Sequence, residues 1–214
     1  NLKTNLNSLI EAAEKTRELA DSADKICAEL ASCIRGGGTI FTCGNGGSAA
    51  DALHIVGELM KSFTLPRPID AEAARLLSER FGQEGERLAA SLEGALPAVA
   101  LVENAALSTA LQNDVSGGIS FAQQVYGLGR PGDVLLCIST SGNAANAVAA
   151  AMVAHARGMR VALLSGGTGG KLRPLCDVSV VVGVSETFMV QELHLPVYHA
   201  LCLMLEYAFF PPAQ

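Results

Sequence analysis

The feature that most constrains this chain is a recurrence of continuously apolar runs, each followed by a turn and then a helix-forming stretch. The runs are residues 39–43, 98–102, 134–138, 161–164 and 178–182. Helix-forming segments cover residues 48–62, 104–112, 120–127, 142–157 and 186–209. A strand that is apolar on both faces must be covered on both, and helical crossovers supply that cover in a parallel sheet. The expected fold is therefore α/β, a three-layer sandwich around a central five-stranded parallel sheet. Ligands of such sheets sit at the carboxyl ends of the strands.

Two turns at those ends hold the same small-residue device. The run ending at Cys43 passes through Gly44-Asn45-Gly46-Gly47-Ser48 into a helix that begins Ala49-Ala50-Asp51-Ala52-Leu53-His54. The run ending at Ile138 passes through Ser139-Thr140-Ser141-Gly142-Asn143 into an alanine-rich helix. Backbone N–H groups and hydroxyls at a helix N-terminus present partial positive charge to an anion. Ordinary N-capping needs one hydroxyl. Three in a row, with Ser48 beside them, point to a phosphate on a small ligand.

Two rival phosphate motifs are set aside. Gly44, Gly46 and Gly47 do not have the G-x-G-x-x-G spacing, and no acidic residue clearly ends a following second strand, which argues against a nicotinamide dinucleotide. Residues 166–171 look like a P-loop, but Ser165 replaces the first glycine and Leu172 the magnesium-binding hydroxyl.

With 214 residues, half of them hydrophobic and 17% charged, the chain can build one sizeable domain and is not composed as a disordered one. A net charge of −6 without a Lys/Arg-rich run argues against direct nucleic-acid binding. The polar start does not read as a signal peptide, and no apolar stretch reaches about 18 uninterrupted residues. A cytoplasmic location away from membranes is expected. Cys27, Cys33, Cys43, Cys137, Cys176 and Cys202 form no CxxC pair. Buried free thiols are their expected state.

The chain is read as a single domain, 1–214, with two helical additions. Residues 1–35 form one long helix or two in line, carrying Leu6, Leu9, Ile10 and Ala13, then Ile26, Leu30 and Ile34, at helical spacing. Residues 64–97 are charged and helix-prone behind Pro66 and Pro68, and too long for an ordinary loop of ~4–6 residues. A flap, an intersubunit element and a solvated surface helix all suit that insertion.

Two further pairs complete the pattern. His54 and Glu58 lie four apart, on one helix face. A surface ion pair is the plainer reading; a catalytic carboxylate with its histidine, or two metal ligands, is the functional one. Gln191 and His199 lie eight apart on the last helix and return to about one face. His194 is displaced around it, and Pro196 is placed to kink it.

In this order, the residues 43–48, 51–59, Asn113-Asp114, 132–136, 138–143, 169–171 and 191–199 resemble the SIS (sugar isomerase) domain family. Within it they resemble the phosphoheptose (sedoheptulose 7-phosphate) isomerases. The resemblance covers nearly the whole chain outside the insertion. It implies a flavodoxin-like sheet and a homotetramer with active sites at subunit interfaces, the N-terminal helix joining a central bundle. Ser48, Ser139, Thr140 and Ser141 match phosphate-binding positions, and Asn45, Gly46, Gly47, Asn113, Asp114 and Gln191 substrate contacts. Glu58 matches the family's general base and His199 its partner acid. The implied reaction converts sedoheptulose 7-phosphate to D-glycero-D-manno-heptose 7-phosphate through an enediol, toward lipopolysaccharide precursors. His54, Glu58, Gln191 and His199 also match a set that holds zinc in some members.

The sequence departs from the pattern at several positions, Ala49-Ala50 and Glu103 or Asn104 among them. Gly57 stands where these isomerases often have a second glutamate, and Ala144 replaces a common serine. One branch of the family is non-catalytic, binds the bacterial replication initiator and lacks the catalytic pair. Retention of Glu58 and His199 favours the enzyme. Isomerisation needs a carboxylate to take a carbon-bound proton and an acid to protonate the carbonyl oxygen, a task histidine performs near neutral pH.

Overall fold

The computed structural model describes residues 19–115 and 117–212. Its strands are β1 (Ile40–Cys43), β2 (Ala98–Ala100), β3 (Val134–Ser139), β4 (Arg160–Gly166) and β5 (Val178–Val182). Among the described residues the helices are α1 (Ala20–Arg35), α2 (Gly47–Met60), α3 (Ala71–Ser91), α4 (Ala105–Asp114), α5 (Ser120–Leu128), α6 (Ala145–Ala156) and α7 (Thr187–Phe209). All strand pairings are parallel, in the order β2-β1-β3-β4-β5. This is the flavodoxin-like order, whose switch point lies between β1 and β3.

The period of two along each strand sorts side chains into two cores. Ile40, Leu136, Ile138, Leu164 and Val180 face α1, α2 and α7, where they meet Ile26, Leu30, Ile55, Leu59 and Leu201. Phe41, Cys43, Leu135, Cys137 and Leu163 face α5 and α6, against Phe121, Val125, Ala147 and Ala151. Every residue of β1 and β3 is buried. Truncating one of these leucines to alanine costs about 2–5 kcal/mol. All six cysteines are free and five are buried.

Leu6, Leu9, Ile10 and Ala13, in the first half of the expected N-terminal helix, lie outside the described residues. The expected kink at Pro196 does not break α7, which runs on to Phe209. Core contacts on both sides of the proline, by Val190 and Leu193 before it and Tyr198 and Leu201 after it, outweigh one lost hydrogen bond. Among the described residues α7 is also the one helix with the length and apolar composition of a membrane span. Here it is a core helix of the sandwich, with Glu206 completely buried in an ion pair.

The insertion folds as a helical hairpin. Asp70 caps α3 by accepting from the Ala73 amide at 2.8 Å. At Gly82 the backbone turns to φ 55°, ψ −135° and breaks the helix. The two arms fold together there, with Gly85 against the Leu77 carbonyl and Ser78 bonded to Glu86. Gly85 is the one buried residue of α3. The roots of the hairpin meet: Pro68 bridges Glu93 antiparallel, the Gly94 amide donates to the Arg67 carbonyl, and Ser62 donates twice to the Glu93 carboxylate.

Candidate functional site

The two hydroxyl-bearing turns come together because β1 and β3 are neighbours, in a register that pairs Cys43 with Cys137. They line a cavity of about 480 Å³. Asn45, Gly46, Gly47 and Ser48 contribute one wall, and Ser139, Thr140 and Ser141 the other. Gln191 enters from α7, its amide lying directly over Gly47. Asn45 and Asn146 exchange amide hydrogen bonds of 2.9 Å, tying the first turn to the start of α6.

The segment that looked like a P-loop buttresses the second turn. The Leu172 amide donates to the Gly142 carbonyl and the Lys171 amide to Asn143 Oδ1. Gly142 has a φ of +66°, and a Cβ there would run into the Gly169 carbonyl. Only glycine fits that position without strain.

A second group forms where α2 runs beside α7. His54 Nε2 is 3.3 Å from Glu58 Oε1, and Lys61 Nζ is 3.2 Å from Glu58 Oε2. The His199 ring packs edge-on against His54 and Tyr198, with centroids 5.0 Å away in each case, and the Phe63 ring lies tilted to it at 5.5 Å. His199 Nε2 is buried without a hydrogen-bond partner. Burial and the neighbouring His54 push the His199 imidazole below its ordinary value, against the pull of Glu58.

The second group rests on a buried ion pair. Arg67 Nη2 meets Glu206 Oε1 at 2.7 Å, with both side chains fully buried. Arg67 also donates to the carbonyls of Glu58 and Leu59, capping the end of α2 at the carboxylate in question. Glu206 accepts from the amides of Phe63, Thr64 and Leu65 and from the Thr64 hydroxyl. Burial alone would raise its carboxyl, but these bonds and Arg67 hold it down at about 2.

The expected site residues thus fall into three places. Asn45, Gly46, Gly47, Ser48, Ser139, Thr140, Ser141 and Gln191 line the cavity. His54, Glu58 and His199 gather beside it without lining it. Asn113 and Asp114 sit exposed at the end of α4, bonded to each other at 2.7 Å, and do not line the cavity. Among the described residues, no three His, Cys, Asp or Glu side chains close around one point as metal ligands do. Ala144 lines the cavity with a methyl group, and a side chain at Gly57 would meet open space.

Sequence reasoning did not single out Thr187, Asn146, Tyr198, Lys61, Arg67 or Glu206. The last had a signal: one acid in the apolar end of a core helix.

The family model described as the SIS domain matches residues 3–88 and 73–166. The phosphoheptose isomerase of Shewanella loihica is 36% identical over 209 residues, covering 96% of this chain and 91% of that protein. That of Shewanella denitrificans is 35% identical, covering 96% and 92%. Among solved structures, phosphoheptose isomerase GmhA from Neisseria gonorrhoeae superposes with a TM-score of 0.78 at 32% identity, covering 96% of both chains. A phosphoheptose isomerase from Francisella tularensis gives 0.79 at 29%, covering 95% of both.

Proposed function

The chain belongs to the SIS domain family and, within it, to the phosphoheptose isomerases, and from that premise we propose that it interconverts sedoheptulose 7-phosphate and D-glycero-D-manno-heptose 7-phosphate. The observation that carries the reading is the cavity at the β1/β3 switch point, walled by hydroxyls from two helix-opening turns. Ser48, Ser139, Thr140 and Ser141 hold the phosphate there. Gln191 orients the sugar next to it.

Glu58 takes the carbon-bound proton, and His199 protonates the carbonyl oxygen as the enediol forms. Lys61 and His54 keep the carboxylate in place. Zinc would draw on His54, Glu58, Gln191 and His199, which are nitrogen and oxygen donors, with His199 Nε2 buried and unbonded, although within this chain they do not close around one point. When bound, zinc supplies Lewis-acid polarisation of the carbonyl.

The active form is a homotetramer with its sites at subunit interfaces. Two observations support this: Glu58 and His199 lie outside the cavity of their own chain, and Leu53, Met60, Phe188 and Leu195 are exposed on the helices around them. Buried free thiols support a cytoplasmic setting.

The test is incubation of the purified protein with a panel of ketose phosphates, following aldose formation with and without chelator. Turnover of sedoheptulose 7-phosphate is expected. Failure with every sugar, together with retained phosphosugar binding, would overturn the reading in favour of a non-catalytic binding protein. Loss of activity with chelator, restored by zinc, is the expected metal result.

A further inference from the structure

Asn45 and Asn146 are joined edge to edge. Asn45 Nδ2 donates to Asn146 Oδ1, and Asn146 Nδ2 donates to Asn45 Oδ1, each at 2.9 Å. Such a pair is equally well bonded if both amides are turned over, so these two bonds do not say where the oxygens are. A third bond does. The Ala147 amide donates to Asn146 Oδ1 at 3.0 Å, and an NH2 group in that place would meet it donor to donor. Asn146 is thereby fixed, and through it Asn45. A primary amide has two N–H protons and two useful lone pairs. Asn146 takes one of each from Asn45. Asn45 lines the cavity, and among the described residues no other group bonds its side chain. One donor and one acceptor are left for a ligand.

The serines of the second turn are prepared differently. Ser139 Oγ accepts from the Gly142 amide and Ser141 Oγ from the Asn143 amide, both at 3.2 Å. Each spends a lone pair on its own turn and keeps its proton for an acceptor. A phosphate dianion offers acceptors only, whereas a sugar hydroxyl both gives and accepts. We propose that Asn146 is a positioning residue that holds the Asn45 amide to read a hydroxyl of the bound sugar, while the second turn takes the phosphate. This rests on the phosphosugar reading above and adds what the cavity recognises besides the phosphate. Asn45 is exposed, so water would serve its amide nearly as well and the pair adds little to stability. What the pair adds is direction. Without Asn146, the amide is free to turn and its two ends are no longer distinguished.

The experiment compares two probes on the full chain by titration: sedoheptulose 7-phosphate, and ethyl phosphate, which has the phosphate but no hydroxyl. The unsubstituted protein is expected to bind the sugar phosphate more tightly. Asn146→Ala is expected to weaken the sugar phosphate by about five- to tenfold, the scale of one lost hydrogen bond, and to leave ethyl phosphate unchanged. Asn45→Ala is expected to do the same. In the double variant the loss should equal that of Asn45→Ala alone, because Asn146 acts only through Asn45.

Equal weakening of both probes by Asn146→Ala would overturn the proposal, since that is the mark of a turn that has merely lost its shape. So would a further loss on adding Asn146→Ala to Asn45→Ala, or an unsubstituted protein that binds the two probes alike. Asn146→Ser keeps a hydroxyl for the Ala147 amide but is too short to pair with Asn45. It should repeat the alanine result, and it decides if Asn146→Ala fails to fold. These are binding measurements, so a chain that selects the sugar phosphate through Asn45 without turning it over upholds this inference while the isomerase reading fails in the sugar panel.

Discussion

The cavity end and the reacting end of this site are built on opposite plans. At the cavity, two walls are turns that follow strands, with Gln191 of α7 entering beside them, and the sheet sets the distance between the walls. Its chemistry is backbone amide and hydroxyl, and its parts are held by short loops braced on one another. At the reacting end, the groups are long side chains on two helices, and each depends on neighbours from distant parts of the chain. Tyr198 and His54 are 144 residues apart, and Arg67 and Glu206 are 139 apart. The first plan suits recognition of a group common to many ligands. The second can be retuned by single substitutions, and chemistry is adjusted there.

Substitutions on either side should separate the two. The largest effect is expected from Glu58→Gln, which removes the base and leaves the cavity intact. Its kcat should fall by about 10²–10⁴-fold, the usual contribution of a positioned proton acceptor, while phosphosugar binding measured by calorimetry changes little. Loss of binding in that variant would erase the distinction drawn here.

Glu206→Gln attacks the reacting end from behind. It leaves Arg67 buried without its counter-charge, and about 3–5 kcal/mol of stability should be lost, read by urea unfolding. Its pH dependence has a definite sign. Because the Glu206 carboxyl sits at about 2 in the folded chain, its stabilisation is complete above the ordinary carboxylate range. It is lost as pH falls toward 2. The variant should therefore lose less stability on acidification than the parent.

Gly142→Ala tests the cavity end alone. It forces a side chain onto a φ of +66° against the Gly169 carbonyl. About 1–3 kcal/mol of strain is expected, appearing as a raised KM with kcat preserved. The smallest effect is expected from Ser141→Ala, which removes one charge-assisted hydrogen bond and should raise KM by about tenfold. An unchanged KM there would remove the hydroxyl from the phosphate cradle.

The same contrast explains what could be read in advance. The five strands and the two turns were legible because each is a local pattern: apolar run, small residues, helix. The nearness of His54 to Glu58 followed from helical spacing. Tyr198 and Arg67 were not legible, because a tyrosine in a core helix or an arginine after a proline is locally ordinary. Only packing of α7 against α2 and the insertion's root gives Tyr198 and Arg67 their partners, while Lys61 finds Glu58 three residues away on its own helix. Asn113 and Asp114 were expected among the substrate contacts; in the single chain they are exposed at the end of α4 and do not line the cavity.

The insertion has a consequence for the evolution of the chain. Its two ends are stitched to each other by Pro68, Glu93, Arg67 and Gly94, so the hairpin closes a loop outside the sheet. The entropy of closing such a loop grows only with the logarithm of its length. The arms can therefore lengthen, shorten or be replaced while β2 and the end of α2 stay where they are. The stitch works as a graft junction, a place where a lineage can exchange one appendage for another without renegotiating its core.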